Sequence, residues 1–307
     1  MLSFKDALEL TKLELKQLLS MSEQLRRQYK GDIVFTCAII NAKSGACSED
    51  CAFCAQSAYH KTKIKVYPLI SKDQIIKSAE YMKEKGATRF SIVTSGKKLS
   101  RKEIIHISDA IRTIKEKAGI QVCASLGMLD QESAKILKDS GLDRYHHNLE
   151  TSRSFFPNIC TTHSYDEDIK TLEIARSEGL KICSGGIIGL GEEWTHRLEL
   201  AFTLKELEVD SIPINFLNPI PGTKLQYMPL LSPYEALKAV AIFRIINPSK
   251  DITICGGREV VLRDEQDKIF LAGANGLMIG DYLTTKGRKI EEDMEMIKTF
   301  GMKLDIR

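Results

Sequence analysis

The stretch SKDQIIKSAEYMKEKGATRFSIVTSG, residues 71–96, decides the fold. It opens on Ser71, a residue type that caps helix starts, runs through an amphipathic segment and stops at Gly86, where helices end easily. Two residues later a β-branched run begins, over 88–96. The same pattern recurs at 164–179, SYDEDIKTLEIARSEG, and is followed by KICSGGIIG at 181–189.

Working outward, strand candidates fall at 32–40, 88–96, 120–127, 144–150, 181–189, 211–219, 251–257 and 276–281, with helical patterning between them. A strand-then-helix unit repeated around a parallel sheet closes most naturally as an α/β (β/α)8 TIM-type barrel, with its functional groups at the carboxyl ends of the strands. A doubly wound sheet would place G-x-G-x-x-G after its first strand, and none is present. No linker-like tract divides the chain, so a single domain over 1–307 is expected, with residues 1–31 forming helices that cap the barrel's amino end.

Charge and hydropathy exclude several classes. The net charge of +3 arises from 44 basic and 41 acidic residues, without a basic groove pattern for nucleic acid. No stretch has the length and apolarity of a membrane span, and the amino terminus lacks a signal-like apolar run, so a cytoplasmic location is expected. There, eight cysteines stay reduced, and clustered ones point to metal or redox chemistry.

Three of them cluster in CSEDCAFC, residues 47–54, in the loop after the first strand. Cys47, Cys51 and Cys54 have C-x3-C-x2-C spacing, with Phe53 just before the last. Structural zinc is closed by four protein ligands, and a four-iron cluster also has four metals to hold. Three thiolates therefore leave one corner for an exogenous ligand, unless a distant His or Cys closes a zinc site.

Four more cysteines, Cys37, Cys123, Cys183 and Cys255, each follow β-type residues and precede small ones. They fall on strands one, three, five and seven, and one interior layer of a (β/α)8 barrel is built from alternate strands. A buried cysteine is often only a small hydrophobe, but four at matching positions indicate a second metal centre.

The cluster loop resembles that of the radical S-adenosylmethionine (SAM) enzymes. Together with HHNLETS, KICSGGIIGLGE, NPIPGT and AGANGLMIGD, it is similar to the biotin synthase family. The resemblance implies that Cys47, Cys51 and Cys54 hold a 4Fe-4S cluster whose fourth iron chelates SAM, giving a 5′-deoxyadenosyl radical that takes hydrogen from dethiobiotin. It further implies an auxiliary 2Fe-2S cluster held by three cysteines and an arginine, whose sulfide enters the product. Cys123, Cys183 and Arg258 match three of those ligand positions, and Ser91 stands at the fourth. Because of Ser91, Cys37 and Cys255 are expected to complete an auxiliary site of 4Fe-4S type rather than 2Fe-2S, with Arg258 a nearby charge.

By the same resemblance, Gly185, Ile187, Gly189 and Glu192 match G-x-I-x-G-x-x-E at the SAM site. There the glycines would let a ligand approach, and Ile187 would pack on adenine. Glu150, where aspartate is usual, would meet the SAM ribose, Asn148 would lie between SAM and substrate, and Asn215 would meet the ureido ring of dethiobiotin. His146 and His147 are read as structural, His163 and His196 as surface or loop residues, and Cys160 as a free thiol. A flavodoxin- or ferredoxin-type electron donor, iron-sulfur assembly proteins and a homodimer are further implications. The rivals are a hydrogenase-maturase or methylornithine synthase type of radical SAM enzyme and a non-catalytic iron-sulfur carrier or sensor.

Overall fold

The computed structural model describes residues 2–305. Its strands are β1 (Ile33–Lys43), β2 (Arg89–Thr94), β3 (Gln121–Ser125), β4 (Arg144–His146), β5 (Lys181–Cys183), β6 (Gly186–Ile188), β7 (Ser211–Phe216), β8 (Asp251–Ile254), β9 (Gly276–Met278) and β10 (Lys303–Leu304). They pair in parallel in sequence order, and β9 returns to pair with β1, so the sheet closes on itself. All eight expected strands are present as barrel staves.

The stave expected at 181–189 is interrupted at Ser184–Gly185 but holds its register across the break: Cys183 faces Ser211 and Gly186 faces Ile214 on β7. The interruption has a steric cause. A Cβ on Gly185 would lie 1.9 Å from the Pro213 carbonyl oxygen, so the two backbones approach closely only because no side chain intervenes.

Residues alternate between the two faces of each stave. On β2, Arg89, Ser91 and Val93 line the lumen, whereas Phe90 and Ile92 are wholly buried in the layer shared with the helices. Helix 72–84 contributes Ile75, Ile76 and Ala79 to that layer. Serine caps act where the sequence places them: Ser71, Ser100, Ser164 and Ser232 each accept from the backbone N–H three residues on. Each contributes about 1 kcal/mol to its helix.

The amino-terminal helices, Phe4–Leu10 and Leu15–Lys30, depart from the expected cap. The longer one packs beside helix Pro233–Ile246 in the outer layer. Its buried stripe of Leu18, Ser22 and Arg26 faces the body, where Ser22 and Arg26 donate to the carbonyls of Leu271 and Phe270. Helix 233–246 is apolar around nearly its whole circumference, which supplies the partner face. Among the described residues of these helices, Lys30 lines the floor of the barrel, pairing with Asp251 at 3.0 Å. The amino end of the barrel is therefore left with an open, charged mouth.

Candidate active site

A cavity of about 330 Å³ occupies the lumen and opens at the carboxyl ends of the staves. The stretch from Arg144 to Glu150 runs up its wall with every second side chain inward: Arg144 near the floor, then His146, Asn148 and Glu150 towards the mouth. Asn148 accepts from the Gly185 N–H at 3.2 Å and donates to Glu150 Oε2 at 3.3 Å. Glu150 has a left-handed backbone (φ 62°), and burial lifts its carboxyl to about 7, with neighbouring His146 opposing and Asp168 adding to the rise. Burial also pulls the His146 imidazole down to about 4, which makes it a neutral wall residue.

The cysteine loop lies over the mouth. Cys47, Cys51, Phe53 and Cys54 border a cavity shared with Asn148 and Glu150. The loop is tied by the Cys47 N–H to the Gln56 carbonyl at 3.0 Å and by the Ala52 N–H to the Ile159 carbonyl at 2.8 Å. Asp50 accepts from the N–H and hydroxyl of Thr161 at 2.8 and 2.6 Å, and these bonds hold its carboxyl well below the usual range despite burial. Burial pushes the Cys54 thiol up to about 11. Deprotonation there calls for a cation, and three thiols converging without a fourth ligand from their own loop fit a metal cluster with one open corner.

Cys160 and His163 lie on the loop the sequence suggests, and Cys160 is a free thiol, but both take close partners there. Cys160 is 3 % exposed, and its Sγ lies 3.2 Å from His163 Nδ1, which in turn sits 2.6 Å from Glu49 Oε2. Asp168 meets the other imidazole nitrogen at 3.4 Å and also binds His147 at 2.8 Å. Burial lowers the basicity of His163, but Asp168, Cys160 and Glu49 together lift it to about 11, so it is an imidazolium. Cys160, His163 and Asp168 are close in sequence, and Glu49 joins them only when the cysteine loop folds over the barrel.

Deeper in the lumen, Cys37, Cys123, Cys183 and Cys255 all line the one cavity, as the alternate-strand reading expects. Burial pushes Cys37 up to about 12 and Cys123 to about 11, and raises Cys183 and Cys255 as well. Like charges add to this: Cys37 feels Cys123 and Cys183, and Cys255 feels Cys37 and Cys183. Four thiols lining one cavity and raising one another's titration fit a metal centre better than four separate buried thiolates. Ser91 lines the same lumen, in register with Cys123. Arg89 and Arg144 stand beside the thiols and draw their titration down, Arg89 acting most on Cys37 and Arg144 most on Cys123.

Several expected roles move. Gly185 serves the strand contact described above, and Gly186 likewise faces the Glu150 carbonyl. Glu192 does not line the lumen: its carboxylate accepts from the Gly189 N–H at 2.9 Å and from Arg197 Nε at 2.7 Å, which pins the turn where Gly189 has φ 100°. Ile187 does face the lumen, and it packs on a small apolar cluster of Ile159, Leu190 and Leu217 that Phe53 also joins. Asn215 lines the lumen too, accepting from the Gly256 N–H at 3.0 Å and donating to the Gly186 carbonyl at 3.4 Å. Arg258 is outside. It opens a short helix behind β8, fully buried, donating to Asp293 at 2.5 Å and to Gln266 at 2.7 Å. The nearby left-handed Gly257 turns the chain away from the lumen between Cys255 and Arg258. Arg258 thus does not line the lumen, but, as the sequence suggests, it is a nearby charge, which draws the titration of Cys255 down against burial.

A profile for the Radical SAM superfamily matches residues 42–204, and one for the Biotin and Thiamin Synthesis associated domain matches 213–303. The biotin synthase of Syntrophus aciditrophicus is 54% identical over 301 residues, covering 97% of this chain and 93% of that one. The chain belongs to the biotin synthase family. The biotin synthases of Geotalea uraniireducens and Pelotomaculum thermopropionicum are each 50% identical, covering 97% and 96% of this chain and 92% and 93% of theirs. Among solved structures, methylornithine synthase superposes with a TM-score of 0.85 at 19% identity, covering 99% of this chain and 94% of that one. An FeFe-hydrogenase maturase from Carboxydothermus hydrogenoformans gives 0.84 at 16%, covering 99% and 76%. These two show the barrel. The biotin synthase family is a radical SAM family, which accounts for three loop thiols with an open corner. Among the described residues, no helix is long and apolar enough to cross a membrane.

Proposed function

We propose that the chain converts dethiobiotin to biotin, with a SAM-binding 4Fe-4S cluster on Cys47, Cys51 and Cys54 and an auxiliary cluster on Cys37, Cys123, Cys183 and Cys255. The observation that carries this reading is a pair of adjoining cavities with Asn148 and Glu150 in the walls of both: the four inner thiols and Asn215 line one, and the cysteine loop lines the other. When bound, the outer cluster and SAM supply a 5′-deoxyadenosyl radical, and the inner cluster supplies sulfide.

The chain's own residues do the rest. Asn148 and Asn215, each already donating and accepting one bond, present amide groups to a substrate that both donates and accepts. Glu150, near neutral pH in its titration, accepts hydroxyl protons of a ribose when ionised. Phe53 and Ile187 exclude water beside the reacting groups. Four thiolates favour a 4Fe-4S-type inner cluster over a 2Fe-2S one. Arg89 and Arg144 in the lumen wall, with Arg258 behind Cys255, supply its positive surroundings. Outside the barrel the reading implies a cytoplasmic homodimer, a flavodoxin- or ferredoxin-type reductant and iron-sulfur assembly proteins.

The test is one anaerobic reaction of reconstituted protein with SAM, dethiobiotin and a reductant, read by mass spectrometry. 5′-Deoxyadenosine and biotin together support the reading. Deoxyadenosine alone would place the chain with a radical SAM activity of another substrate, and neither product would leave a carrier or sensor. Mössbauer spectra of iron-57 protein settle the inner cluster: a clear two-iron component rules out the four-cysteine set.

A further inference from the structure

The floor of the lumen carries a feature that the reaction above does not use. Arg144 is 4 % exposed, and its buried Nη1 has no hydrogen-bond partner among the described residues. A guanidinium N–H left unpaired in the interior is costly, so this one is aimed at a partner that the protein chain does not provide. Its neighbour Arg89 is satisfied: it bonds Asp251 at 2.9 Å and lies 3.5 Å over the Phe35 ring.

Both arginines face two spaces at once. They line the lumen with the four thiols, and they also line a second cavity at the amino-terminal mouth of the barrel. That mouth holds Lys30, Lys181 and Lys250 in addition, against Asp210, Asp251 and Asp305. Five cations to three carboxylates make it attractive to small anions, and the two arginines form the partition between it and the lumen. The charged mouth is open because the amino-terminal helices pack on the barrel's flank.

We infer that Arg144 is the binding site for hydrosulfide, admitted through this basal mouth to reload the inner cluster. The inference rests on the sulfur-insertion reading, in which each product removes one sulfide. The basal cavity, which shares Arg89 and Arg144 with the lumen, offers replacement sulfur a route that does not cross the SAM and substrate positions. Hydrosulfide suits the site: it is a small monoanion, and the open Nη1 donates one N–H to it. Its sulfur is already at the sulfide level. The lost iron–sulfur bonds are remade by coordination, one proton leaves through the basal mouth, and no external oxidant or reductant is required.

Two measurements test this. First, crystals of the cluster-free protein soaked in sodium bromide should show anomalous density at Arg144 Nη1 in the wild type and none in Arg144→Met. An empty site in the wild type overturns the inference whatever the enzyme does. Second, biotin is followed through successive turnovers with added sodium hydrosulfide, and the rate of later turnovers is divided by that of the first. That ratio should saturate with hydrosulfide in the wild type, fall at least tenfold in Arg144→Met, and recover in Arg144→Lys. Lys181→Glu, at the exposed rim, should lower it at low salt and less at high salt. An unchanged ratio in Arg144→Met, with or without loss of inner-cluster iron, makes Arg144 a structural counter-charge and overturns the inference. If the wild type makes no biotin in its first turnover, the sulfur-insertion reading fails, and with it the assignment to hydrosulfide. A bromide site would then remain as an anion site only.

Discussion

Cys160 Sγ lies 3.8 Å from Cys51 Sγ, although the residues are 109 apart in sequence. The two share one proton. Cys51, by its bond to Cys160 and by burial, is strongly raised, whereas that same bond, with His163 and Thr162 assisting, holds Cys160 down to about 4 against burial. Cys160 is the thiolate of the pair, since the His163 imidazolium is beside it. Thiolates attack disulfide-forming oxidants, and closing a bond here needs a sulfur movement of only about 2 Å. Cluster-free protein treated with diamide is expected to form a Cys51–Cys160 disulfide first, as shown by peptide mapping. Cys160→Ser should remove it and preserve the capacity for reconstitution. A map dominated by bonds within Cys47, Cys51 and Cys54 would contradict the pairing.

Glu150 makes stability depend on pH. Its folded carboxyl titrates at about 7, above the ordinary value of 4.5. The folded state therefore prefers the protonated form. Its advantage is full below about pH 4.5 and is lost as pH rises through 7. A shift of this size corresponds to roughly 3 kcal/mol, and because Glu150 borders the open cavity, water reduces that to about 1–2 kcal/mol. Urea unfolding of cluster-free protein should find Glu150→Gln equal to wild type near pH 4.5 and more stable by that amount at pH 8. A gap independent of pH would mean an ordinary carboxylate.

Arg258 and Asp293 form a fully buried ion pair. Arg258→Met leaves the Asp293 carboxylate with only the looser Arg288 contact at 3.7 Å, and losses of about 3 kcal/mol are expected for such a break. Calorimetry should show that loss, while iron per chain in protein that folds at low temperature stays at the wild-type value. A selective loss of inner-cluster iron without loss of stability would restore Arg258 as a ligand.

Gly185 and Gly189 separate packing from turn geometry. Gly185→Ala drives a Cβ into the Pro213 carbonyl and should cost more than about 3 kcal/mol. Gly189→Ala meets nothing closer than 3.6 Å and carries only the strain of its left-handed backbone, about 1–2 kcal/mol. Melting temperatures should rank them in that order. A folded Gly185→Ala protein that merely binds SAM weakly would instead support a ligand-approach role.

The barrel was legible because period-two runs alternate with capped amphipathic helices, and each stave repeats that local grammar. The loop thiols were legible because all three sit within eight residues. The inner thiols needed a further step, counting staves, and the lumen confirms that count. Arg258 misled because a residue beside a strand end can turn either way, and the left-handed Gly257 turns it outward. Glu192 misled because a carboxylate three residues past a glycine can pin that glycine's turn as readily as face a ligand. Arg144 was missed despite a usable signal: it stands in step, two residues at a time, with the inward Asn148 and Glu150. The charge on His163 was harder to see, because its partner Glu49 comes from the distant cysteine loop.

β1 has a consequence for substrate length. It is the longest stave, anchored at its start where Ile33 and Val34 pair with Lys303 and Leu304, and it carries Cys37 before running to Lys43, four residues short of Cys47. The two sets of thiols are thus spaced by one rod of backbone, rising about 3.3 Å per residue. On the proposed assignment of the two thiol sets, the strand acts as a ruler between the place where hydrogen is taken and the place where sulfur waits. Homologues of the substrate whose reacting methyl sits a carbon nearer or farther should be measured against that fixed length and rejected, however well their ring is held.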